Sequence, residues 1–334
     1  MKDTYLAAVC TSFEGPSAIR IEPQTRRALL SGEVRILVRA AGLNFPDLLM
    51  TRGLYQYRPE PPFIGGMEVA GTVIELAEDV QGFALGDAVM TGGRSGGFAE
   101  EMIVEAASLS ALPAALSFEE GAAYRAGAVT ALHALVDRGQ IQPGEALLVL
   151  GSAGGVGMAA VQLAKHLGAK VIASASTEAK RAAAIAAGAD HAVDPASRDF
   201  VEQVKALTAG RGVDLVYDPV GGDLALKATR TLGWGGRYLI VGFASGTIPS
   251  FPANHALIKG YSLIGLRAGE AGRRVPALGV RNKALLAEYA AQGVMRPHIS
   301  HRFPLEQTAD ALRAIGDRQV IGRAVIVMNS GEGG

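Results

Sequence analysis

A glycine-rich loop between a buried strand and a helix is the feature of this sequence that most constrains its fold. The stretch LVLGSAGGVGMAAVQLAKHLGAKVIAS (148–174) reads as an apolar strand, a loop, a helix and a second apolar strand. Gly154 would let the backbone approach a pyrophosphate, and Gly157 would let the helix pack closely on the strand. Ser152 replaces the first glycine of the G-x-G-x-x-G pattern, but the surrounding strand–loop–helix–strand order is the one that this pattern requires. We therefore predict a dinucleotide-binding α/β unit rather than an ordinary tight turn.

The rest of the chain divides into two kinds of pattern. Strands alternate with helices from residue 145 onward, which indicates a parallel sheet with helices on both faces. Ser117 stands three residues before Glu120 and predicts a capping box at the start of a helix. The last strand, 322–328, is expected to pair with the first domain. The first hundred residues read as short strands of a compact barrel-like β domain, over 32–42, 68–77, 86–92 and 96–104. Apolar and charged residues alternate along 32–42, with Arg35 among the charged ones, which predicts a half-buried strand with one solvated face.

Composition excludes several classes of protein. Lys+Arg and Asp+Glu both number 32, and no basic stripe stands out, so we expect no nucleic-acid partner. The single cysteine, Cys10, excludes an intrachain disulfide and a multi-cysteine zinc site. The uncharged stretch 146–164 has almost the length of a membrane span, but its glycines cluster in the middle, so we expect no membrane segment. The N-terminal residues lack a secretory signal, which favours a cytoplasmic protein, and the tail 329–334 is predicted to be disordered.

The residues after the second strand of the glycine-loop unit indicate the type of dinucleotide. Enzymes that use NAD place an acidic residue about 20 positions beyond the glycines, where it binds the ribose 2′-hydroxyl. Ala175 stands near that position here, and Ser176, Lys180 and Arg181 follow. An uncharged pocket with hydroxyl groups and a nearby cation suits a 2′-phosphate, so NADP(H) is favoured over NAD(H). Lys180 is the stronger candidate, and the alternative for both cations is a solvated helix face.

Taken together, these segments resemble the zinc-free quinone oxidoreductase family of the medium-chain dehydrogenase/reductase superfamily over nearly the whole chain. The resemblance implies an α/β protein in which residues 1–123 and 296–334 form a GroES-like β-barrel domain and residues 124–295 form a Rossmann doubly wound parallel-sheet domain. It also implies an active site in the cleft between the domains, NADPH as cofactor and a homodimer. The matching blocks are AGLNFPDLLMTRGLY (41–55), PPFIGGMEVAGTV (61–73), LPAALSFEEGAA (112–123), the glycine-loop segment, GRGVDLVYDPVGGD (210–223), LGWGGRYLIVGFASG (232–246) and IGRAVIV (321–327).

The resemblance places cofactor contacts at scattered positions of this chain. Arg323 stands where relatives commonly have lysine and could reach the cofactor. The other implied contacts are Asn44 at the nicotinamide end, Thr130 at the start of the cleft, Ser152, Gly154, Gly155 and Val156 at the pyrophosphate loop, Ser176 and Lys180 at the 2′-phosphate, and Gly242 and Phe243 beside the nicotinamide.

The sequence also bears on metal and nucleophile chemistry. Zinc alcohol dehydrogenases of the same superfamily carry cysteine and histidine ligands where this chain has Asn44 and Met67, so we expect no catalytic metal. The segment 93–97 matches G-x-S-x-G formally, but it lies between two strands and is interpreted as a turn. His298 and His301 are interpreted as solvated or core residues rather than as a metal pair.

Without a metal, the predicted chemistry is hydride transfer to a quinone or to the activated C=C bond of an α,β-unsaturated carbonyl compound. We expect Tyr55 to donate a hydrogen bond to the carbonyl oxygen, with a packed residue at the site's rim as the alternative. Asn44 would orient the nicotinamide or the substrate. Two other functions stay open, namely an enoyl-thioester or (halo)acrylate-type reductase and a non-catalytic NADPH-binding protein. Weaker candidates for binding an anionic substrate are Arg58, Arg125 and Arg267.

Two polar residues of the segment 41–55 have no assigned chemistry. Asp47 and Arg52 are interpreted as making structural hydrogen bonds that hold the short helix after Asn44 in place.

Overall fold

The computed structural model describes residues 3–328, so the tail predicted to be disordered, 329–334, lies outside the described residues. The strands are β1 (Thr4–Cys10), β2 (Ile19–Thr25), β3 (Glu33–Gly42), β4 (Phe63–Ile64), β5 (Glu68–Leu76), β6 (Ala88–Gly92), β7 (Glu101–Glu105), β8 (Ser110–Ala111), β9 (Ala146–Leu150), β10 (Lys170–Ser174), β11 (His191–Val193), β12 (Val213–Asp218), β13 (Leu232–Ile240), β14 (Ser262–Gly265), β15 (Ile299–Pro304) and β16 (Arg323–Val327). The helices are α1 (Phe45–Thr51), α2 (Phe118–Leu132), α3 (Gly155–His166), α4 (Glu178–Ala186), α5 (Phe200–Ala206), α6 (Gly222–Thr229), α7 (Ala253–Lys259), α8 (Ala268–Arg274), α9 (Pro276–Gln292) and α10 (Thr308–Gly316).

The chain divides into two structural units. The first unit comprises the described residues up to Ala126 together with those from Pro297 onward, and the second unit is Gly127–Arg296. The boundary falls inside α2, whose start has the predicted capping box. The Ser117 N–H donates to Glu120 Oε2 at 2.9 Å, and the Glu120 N–H donates to Ser117 Oγ at 3.2 Å. The sequence prediction for this helix start is therefore confirmed.

Antiparallel pairing dominates the first unit. One sheet has the order β2-β1-β4, and a larger one has the order β15-β16-β3-β5-β6-β8, with β7 also pairing with β3. The terminal strand β16 pairs antiparallel with β3, with Val325 opposite Gly42. This pairing confirms that the end of the chain completes the first domain. Its main core cluster includes Val38, Leu48, Phe98, Leu312 and Ile326.

Strand β3 is more deeply buried than its alternating pattern predicted. Its apolar positions Val34, Ile36 and Val38 are buried, as expected for a half-buried strand. Arg35, however, is buried as well, and its Nε donates to Glu75 Oε2 at 2.7 Å. An ion pair makes the burial of this charge tolerable, which is why the outward-facing side of the strand is not fully solvated.

The second unit contains a parallel sheet with the order β11-β10-β9-β12-β13-β14. Helices connect consecutive strands, and every residue of β9 is buried, as expected for a strand covered on both faces. Strand order reverses between β9 and β12, where open α/β sheets bind ligands at the carboxyl ends of their strands. The predicted doubly wound α/β unit is confirmed.

None of the helices within residues 3–328 is long and apolar enough to cross a membrane. The uncharged stretch 146–164 forms β9, the glycine loop and most of α3.

Candidate functional site

The glycine loop leaves backbone donors available at the start of α3. Gly154 is the N-cap residue of this helix, and no side chain caps it. A Cβ at Gly154 would meet nothing nearer than the Gly151 carbonyl oxygen at 3.5 Å, whereas a Cβ at Gly157 would lie 2.4 Å from that same oxygen. Gly157 is therefore required for close helix–strand packing, and Gly154 leaves room for a ligand. The first-turn N–H groups, including those of Gly155 and Val156, have no intrahelical partner and suit a pyrophosphate.

Ser152 has a different part in the loop from the one that the family resemblance implied. Its N–H and its hydroxyl both lie 3.1 Å from the Ser174 carbonyl oxygen, and the side chain is fully buried. These two hydrogen bonds tie the loop to the carboxyl end of β10. A phosphate contact through Ser152 stays a prediction.

The residues predicted to bind a 2′-phosphate lie just beyond β10. Ser176 is exposed, and the Thr177 hydroxyl caps α4 by accepting from the Lys180 N–H at 3.2 Å. This cap places Lys180 in the first turn of the helix, where it is half-buried. Arg181 Nη1 lies 3.4 Å from Asp194 Oδ2, so its charge already has a partner. The roles of Ser176 and Lys180 at a 2′-phosphate stay predictions.

Other predicted cofactor residues of the second unit follow from its topology. Thr130 is half-buried on α2, and Gly242 and Phe243 directly follow β13 at the carboxyl edge of the sheet. Phe243 packs against the turn after β12, where a Cβ on Gly221 would lie 2.8 Å from Phe243 Cδ1. Gly221 has φ +71°, so a glycine is favoured there for its backbone conformation as well.

Asp218 is a buried carboxylate at this edge that the sequence interpretation missed. It ends β12, and its Oδ1 accepts from the N–H groups of Val220 and Gly221 at 2.7 and 2.9 Å. Its Oδ2 accepts from the Tyr238 hydroxyl at 2.7 Å. Burial raises the pKa of Asp218 despite these hydrogen bonds. The signal that could have identified it is an acidic residue directly after an apolar strand and before a Pro-Val-Gly-Gly turn.

A buried polar network lies in the first unit around Asn44. Asn44 Nδ2 donates to Glu68 Oε2 at 2.9 Å, and Arg323 Nη1 donates to Asn44 Oδ1 at 2.8 Å. Arg323 Nη2 also donates to Glu68 Oε2 at 2.5 Å, and the Ala126 N–H donates to Glu68 Oε1 at 2.5 Å. Both the nitrogen and the oxygen of the Asn44 side-chain amide thus have hydrogen-bond partners, which fix its orientation.

Asp47 fixes the backbone of Asn44 from the other side. Asp47 Oδ2 accepts from the Asn44 N–H at 2.8 Å, and Oδ1 accepts from the Gly66 N–H at 3.2 Å. These bonds join the start of α1 to the loop before β5 and confirm the interpretation of Asp47 as a structural hydrogen-bonding residue. Burial raises the pKa of Asp47 from its usual 3.8 to about 7.

Two members of the network differ from the sequence expectation. Arg323, predicted as a cofactor contact, has its guanidinium engaged by Asn44 and Glu68, so a contact with the cofactor stays a prediction. Glu68 was read only as part of a strand. A carboxylate between the apolar residues Met67 and Val69 requires a buried partner, but the sequence does not say which one.

Tyr55 belongs to a neighbouring cluster of the same unit. Its half-buried ring packs against a group that includes Cys10, Met50 and Phe63. This placement fits a packed ring, and the role of Tyr55 as a donor to substrate stays a prediction.

The arginines predicted to bind an anionic group have different surroundings. The Arg58 guanidinium lies 4.5 Å from the centroid of the Phe13 ring. Arg125 Nη1 donates to the Gly92 carbonyl oxygen at 3.1 Å. Arg267 lies in the second unit, exposed, at the start of α8.

The structure also shows the surroundings of the residues considered above for metal and nucleophile chemistry. In the part of the chain that the structure describes, no group of three or more His, Cys, Asp and Glu side chains could hold a metal ion. The segment 93–97 is an irregular turn between β6 and β7, as interpreted from the sequence. His301 stacks on Phe303 with 6.1 Å between ring centroids, and the His298 carbonyl accepts from the Arg323 N–H.

Two protein families match parts of this chain. A family described as "Alcohol dehydrogenase GroES-like domain" matches residues 30–114, within the first unit. A family described as "Zinc-binding dehydrogenase" matches residues 155–279, within the second unit. The predicted combination of a GroES-like domain with a Rossmann domain is thereby confirmed.

Similar proteins cover nearly the whole chain. "Quinone oxidoreductase-like protein 2" of Bos taurus is 38% identical over 323 residues, which are 96% of this chain and 92% of that protein. The crystal structure of a probable oxidoreductase from Mycobacterium abscessus has a TM-score of 0.87 at 36% identity and covers 97% of this chain and 99% of its own. A mycobacterial protein solved in complex with NADPH has a TM-score of 0.88 at 28% identity, with 97% and 99% covered.

Breaking the buried pair between Glu68 and Arg323 is expected to destabilise the protein strongly. Arg323→Met or Glu68→Gln alone should lower the free energy of unfolding by about 3–5 kcal/mol, because each leaves the other charge buried without its partner. The double variant should lose clearly less than the sum of the two. Urea unfolding of the four proteins in the cycle measures this coupling.

The exposed pair of Asp310 and Arg313 is the matched control, since it lies in the same unit at 2.5 Å. The same cycle with Asp310→Asn and Arg313→Met should give a coupling of about 0–1 kcal/mol. Equal coupling energies for the two pairs would show that the buried pair of Glu68 and Arg323 contributes no more to stability than an exposed ion pair, and would contradict the prediction.

The raised pKa of Asp47 predicts an unusual pH dependence of stability. Between its usual pKa of 3.8 and about 7, the folded protein keeps a proton that the unfolded chain has lost. The stability that this proton contributes is complete below the unfolded pKa and is lost as the pH rises through about 7. Relative to Asp47→Asn, the wild type should therefore lose unfolding free energy from about pH 4 to pH 7, as measured by urea unfolding across this range.

Asp47→Asn replaces one of two acceptor oxygens by an amide nitrogen, which adds a difference in stability that does not depend on pH, so the test is the slope of the difference with pH. Asp317→Asn, at an exposed position of the same unit, should differ from the wild type by a constant amount. If the wild type instead gains stability relative to Asp47→Asn as the pH rises, the pKa of Asp47 is not raised in the folded protein.

Proposed function

Since this chain belongs to the quinone oxidoreductase-type family of the medium-chain dehydrogenase/reductase superfamily and is thus an oxidoreductase, we propose that it uses NADPH to reduce a quinone or the activated C=C bond of an α,β-unsaturated carbonyl compound, without a metal ion. The observation that carries the proposal is the glycine loop at the switch point of the parallel sheet. There, Gly154 leaves space for a ligand and α3 begins without a side-chain cap. The solved relative that holds NADPH supports the choice of cofactor.

The residues of the second unit fit this cofactor. The N–H groups of Gly155 and Val156 would bind the pyrophosphate, helped by the helix dipole. Ser176 and Lys180 would bind the 2′-phosphate. Position 175 is an alanine, so no acidic side chain there would repel this phosphate. Further contacts would come from Thr130, Gly242, Phe243 and, through the backbone of its loop, Ser152. When bound, NADPH supplies the hydride, so that the substrate gains this hydride and one proton while the cofactor becomes NADP⁺.

The residues of the first unit would orient and polarise the substrate. Asn44 is held by Glu68 and Arg323 in a single orientation, which suits a group that must position a reacting ring. Tyr55 would donate a hydrogen bond to the carbonyl oxygen on which negative charge develops, as a metal ion would do in a zinc enzyme. Solvent would supply the proton.

The activity is tested with NADPH oxidation by menadione, methyl vinyl ketone, acrylate and crotonyl-CoA. Saturable turnover of menadione or methyl vinyl ketone is the expected result, and Tyr55→Phe should lower kcat by roughly 10²-fold with the NADPH KM unchanged. Turnover of only acrylate or crotonyl-CoA would instead support a reductase of anionic substrates. Tight NADPH binding without any turnover would support a non-catalytic NADPH-binding protein.

The same assay tests the 2′-phosphate site. Lys180→Ala should raise the KM for NADPH about tenfold or more and leave the KM for NADH nearly unchanged, because only NADPH carries the 2′-phosphate. Lys170→Ala is the matched control, since Lys170 is an exposed lysine at the opposite, amino end of β10. Equal effects of Lys180→Ala on the two cofactors would reject this role.

The proposed assembly is a cytoplasmic homodimer that binds no nucleic acid, in keeping with its zero net charge. Strand β14 ends the order of the parallel sheet and has partners on one side, so its edge can pair with another strand. Large apolar side chains of the same unit are exposed, with Trp234 and Leu257 at 84% and 81% and Leu263 on β14 itself. A second copy that covers them would bury apolar area.

Sedimentation velocity is expected to give the mass of two chains. Leu263→Lys should shift the protein toward the monomer, because it places a charge on the edge strand. Ile185→Lys changes an exposed apolar residue on α4, which connects β10 and β11 at the opposite end of the sheet order from β14. This variant should leave the dimer intact. A monomeric wild type at micromolar concentration would contradict the dimer.

A further inference from the structure

Two exposed arginines of the first unit, Arg94 and Arg125, lie at the stretch of backbone around Gly92 and form no ion pair among the described residues. Arg94 follows β6, and Arg125 lies on α2. Among residues 3–328, neither has a carboxylate oxygen within 4.0 Å. Six other arginines of the same unit do form ion pairs, namely Arg26, Arg27, Arg35, Arg302, Arg313 and Arg323.

Arg94 is held by an aromatic face. Its guanidinium carbon lies 5.2 Å from the centroid of the half-buried Tyr57 ring. A cation–π contact uses the flat face of the guanidinium. The N–H groups at its edge remain available for the two parallel hydrogen bonds that a carboxylate accepts.

Arg125 is held by the backbone two residues before Arg94. Its Nη1 donates to the Gly92 carbonyl oxygen at 3.1 Å, and its Cδ and Nη1 approach Gly92 so closely that a Cβ there would lie 3.0 Å from each. A larger residue at position 92 would displace this arginine. One of the guanidinium donors is thus used for positioning, and the others can bind a ligand.

The backbone connects both arginines to the Asn44 network. Gly92 pairs with Glu68 across β5 and β6, and the Gly93 N–H donates to the Met67 carbonyl at 2.8 Å. Ala126, the residue after Arg125, donates its N–H to Glu68 Oε1. The backbone next to both arginines therefore belongs to the end of β5 and β6 that carries Glu68, the partner of Asn44.

We propose that Arg94 and Arg125 form a carboxylate-binding site that selects α,β-unsaturated carbonyl substrates bearing a carboxylate group. This inference rests on the proposed reductase function and names the substrate class of the same site. Each guanidinium has a contact that restrains it before a ligand binds, Arg94 with Tyr57 and Arg125 with Gly92, which reduces the side-chain entropy lost on binding. Glu68 does not neutralise them, because Arg323 already pairs with it.

A pair of substrates tests the site: acetylacrylic acid and its methyl ester, in which a methyl group removes the negative charge of the carboxylate. The wild type is expected to reduce the acid with a kcat/KM about tenfold or more above that of the ester. Arg94→Gln and Arg125→Gln should each lower kcat/KM for the acid about tenfold, mainly through KM, and leave the ester unchanged. Added salt should reduce the preference, because it screens exposed charges.

Arg20→Gln is the matched control for both variants. Arg20 is also an exposed arginine of the first unit held by backbone carbonyls, those of Ser17 and Ile19, but it lies on the edge strand β2. This variant should change neither substrate. Arg94→Lys, which keeps the charge without the planar fork, should retain part of the preference for the acid.

The failure of this inference differs from the failure of the proposed function. Equal kcat/KM for acid and ester in the wild type, unaffected by either variant, would overturn the carboxylate site while the reductase function stands. If neither compound is reduced, calorimetric titration of acetylacrylate into the NADPH-loaded protein decides. Binding that Arg94→Gln and Arg125→Gln abolish supports the site, and no binding to the wild type overturns it.

Discussion

The burial of the Glu68 carboxylate is the constraint on which the first unit depends. A carboxylate inside an apolar strand is tolerated only when its charge and both oxygens are satisfied. Arg323 supplies the charge from the terminal strand, Asn44 supplies an amide donor from the start of α1, and Ala126 supplies a backbone N–H from α2. Elements far apart in the sequence are thereby held at one point. The network also fixes the amide of Asn44, so one set of contacts stabilises the fold and orients a candidate functional group.

Close backbone approach is the corresponding constraint in the second unit. The carbonyl oxygen of Gly151 lies where a side chain at Gly157 would be, so α3 can rest on the sheet only because position 157 has no Cβ. Ser152 then ties the loop to β10 through the Ser174 carbonyl. The same loop leaves the first N–H groups of α3 without a side-chain cap, and this explains why a packing requirement and a candidate anion site coincide.

Features that depend on local chain geometry were predictable from the sequence. The glycine loop, the capping box of Ser117 and Glu120, and the bond of Asp47 to the Asn44 N–H all involve neighbouring residues or a recurring strand–loop–helix order. Features that depend on distant partners were not. Glu68 and Asp218 gave no signal beyond an acid near an apolar strand, and Arg35 was expected on a solvated face. Their burial depends on Glu75, Tyr238 and Arg323, whose proximity no local pattern encodes.

The sequence by itself determined the two kinds of domain, the position of the dinucleotide loop and the pairing of the last strand with the first domain, because hydrophobic periodicity and glycine spacing report directly on backbone geometry. Only the tertiary structure decided what each charged side chain does. In the folded protein, Arg323 pairs with Glu68 and Asn44, and Arg181 pairs with Asp194. Arg94 contacts the Tyr57 ring and Arg125 the Gly92 carbonyl, and neither forms an ion pair within residues 3–328. The physical reason is that the energy of a charge depends on its burial and on its nearest opposite charge, and both quantities are set by residues remote in the chain.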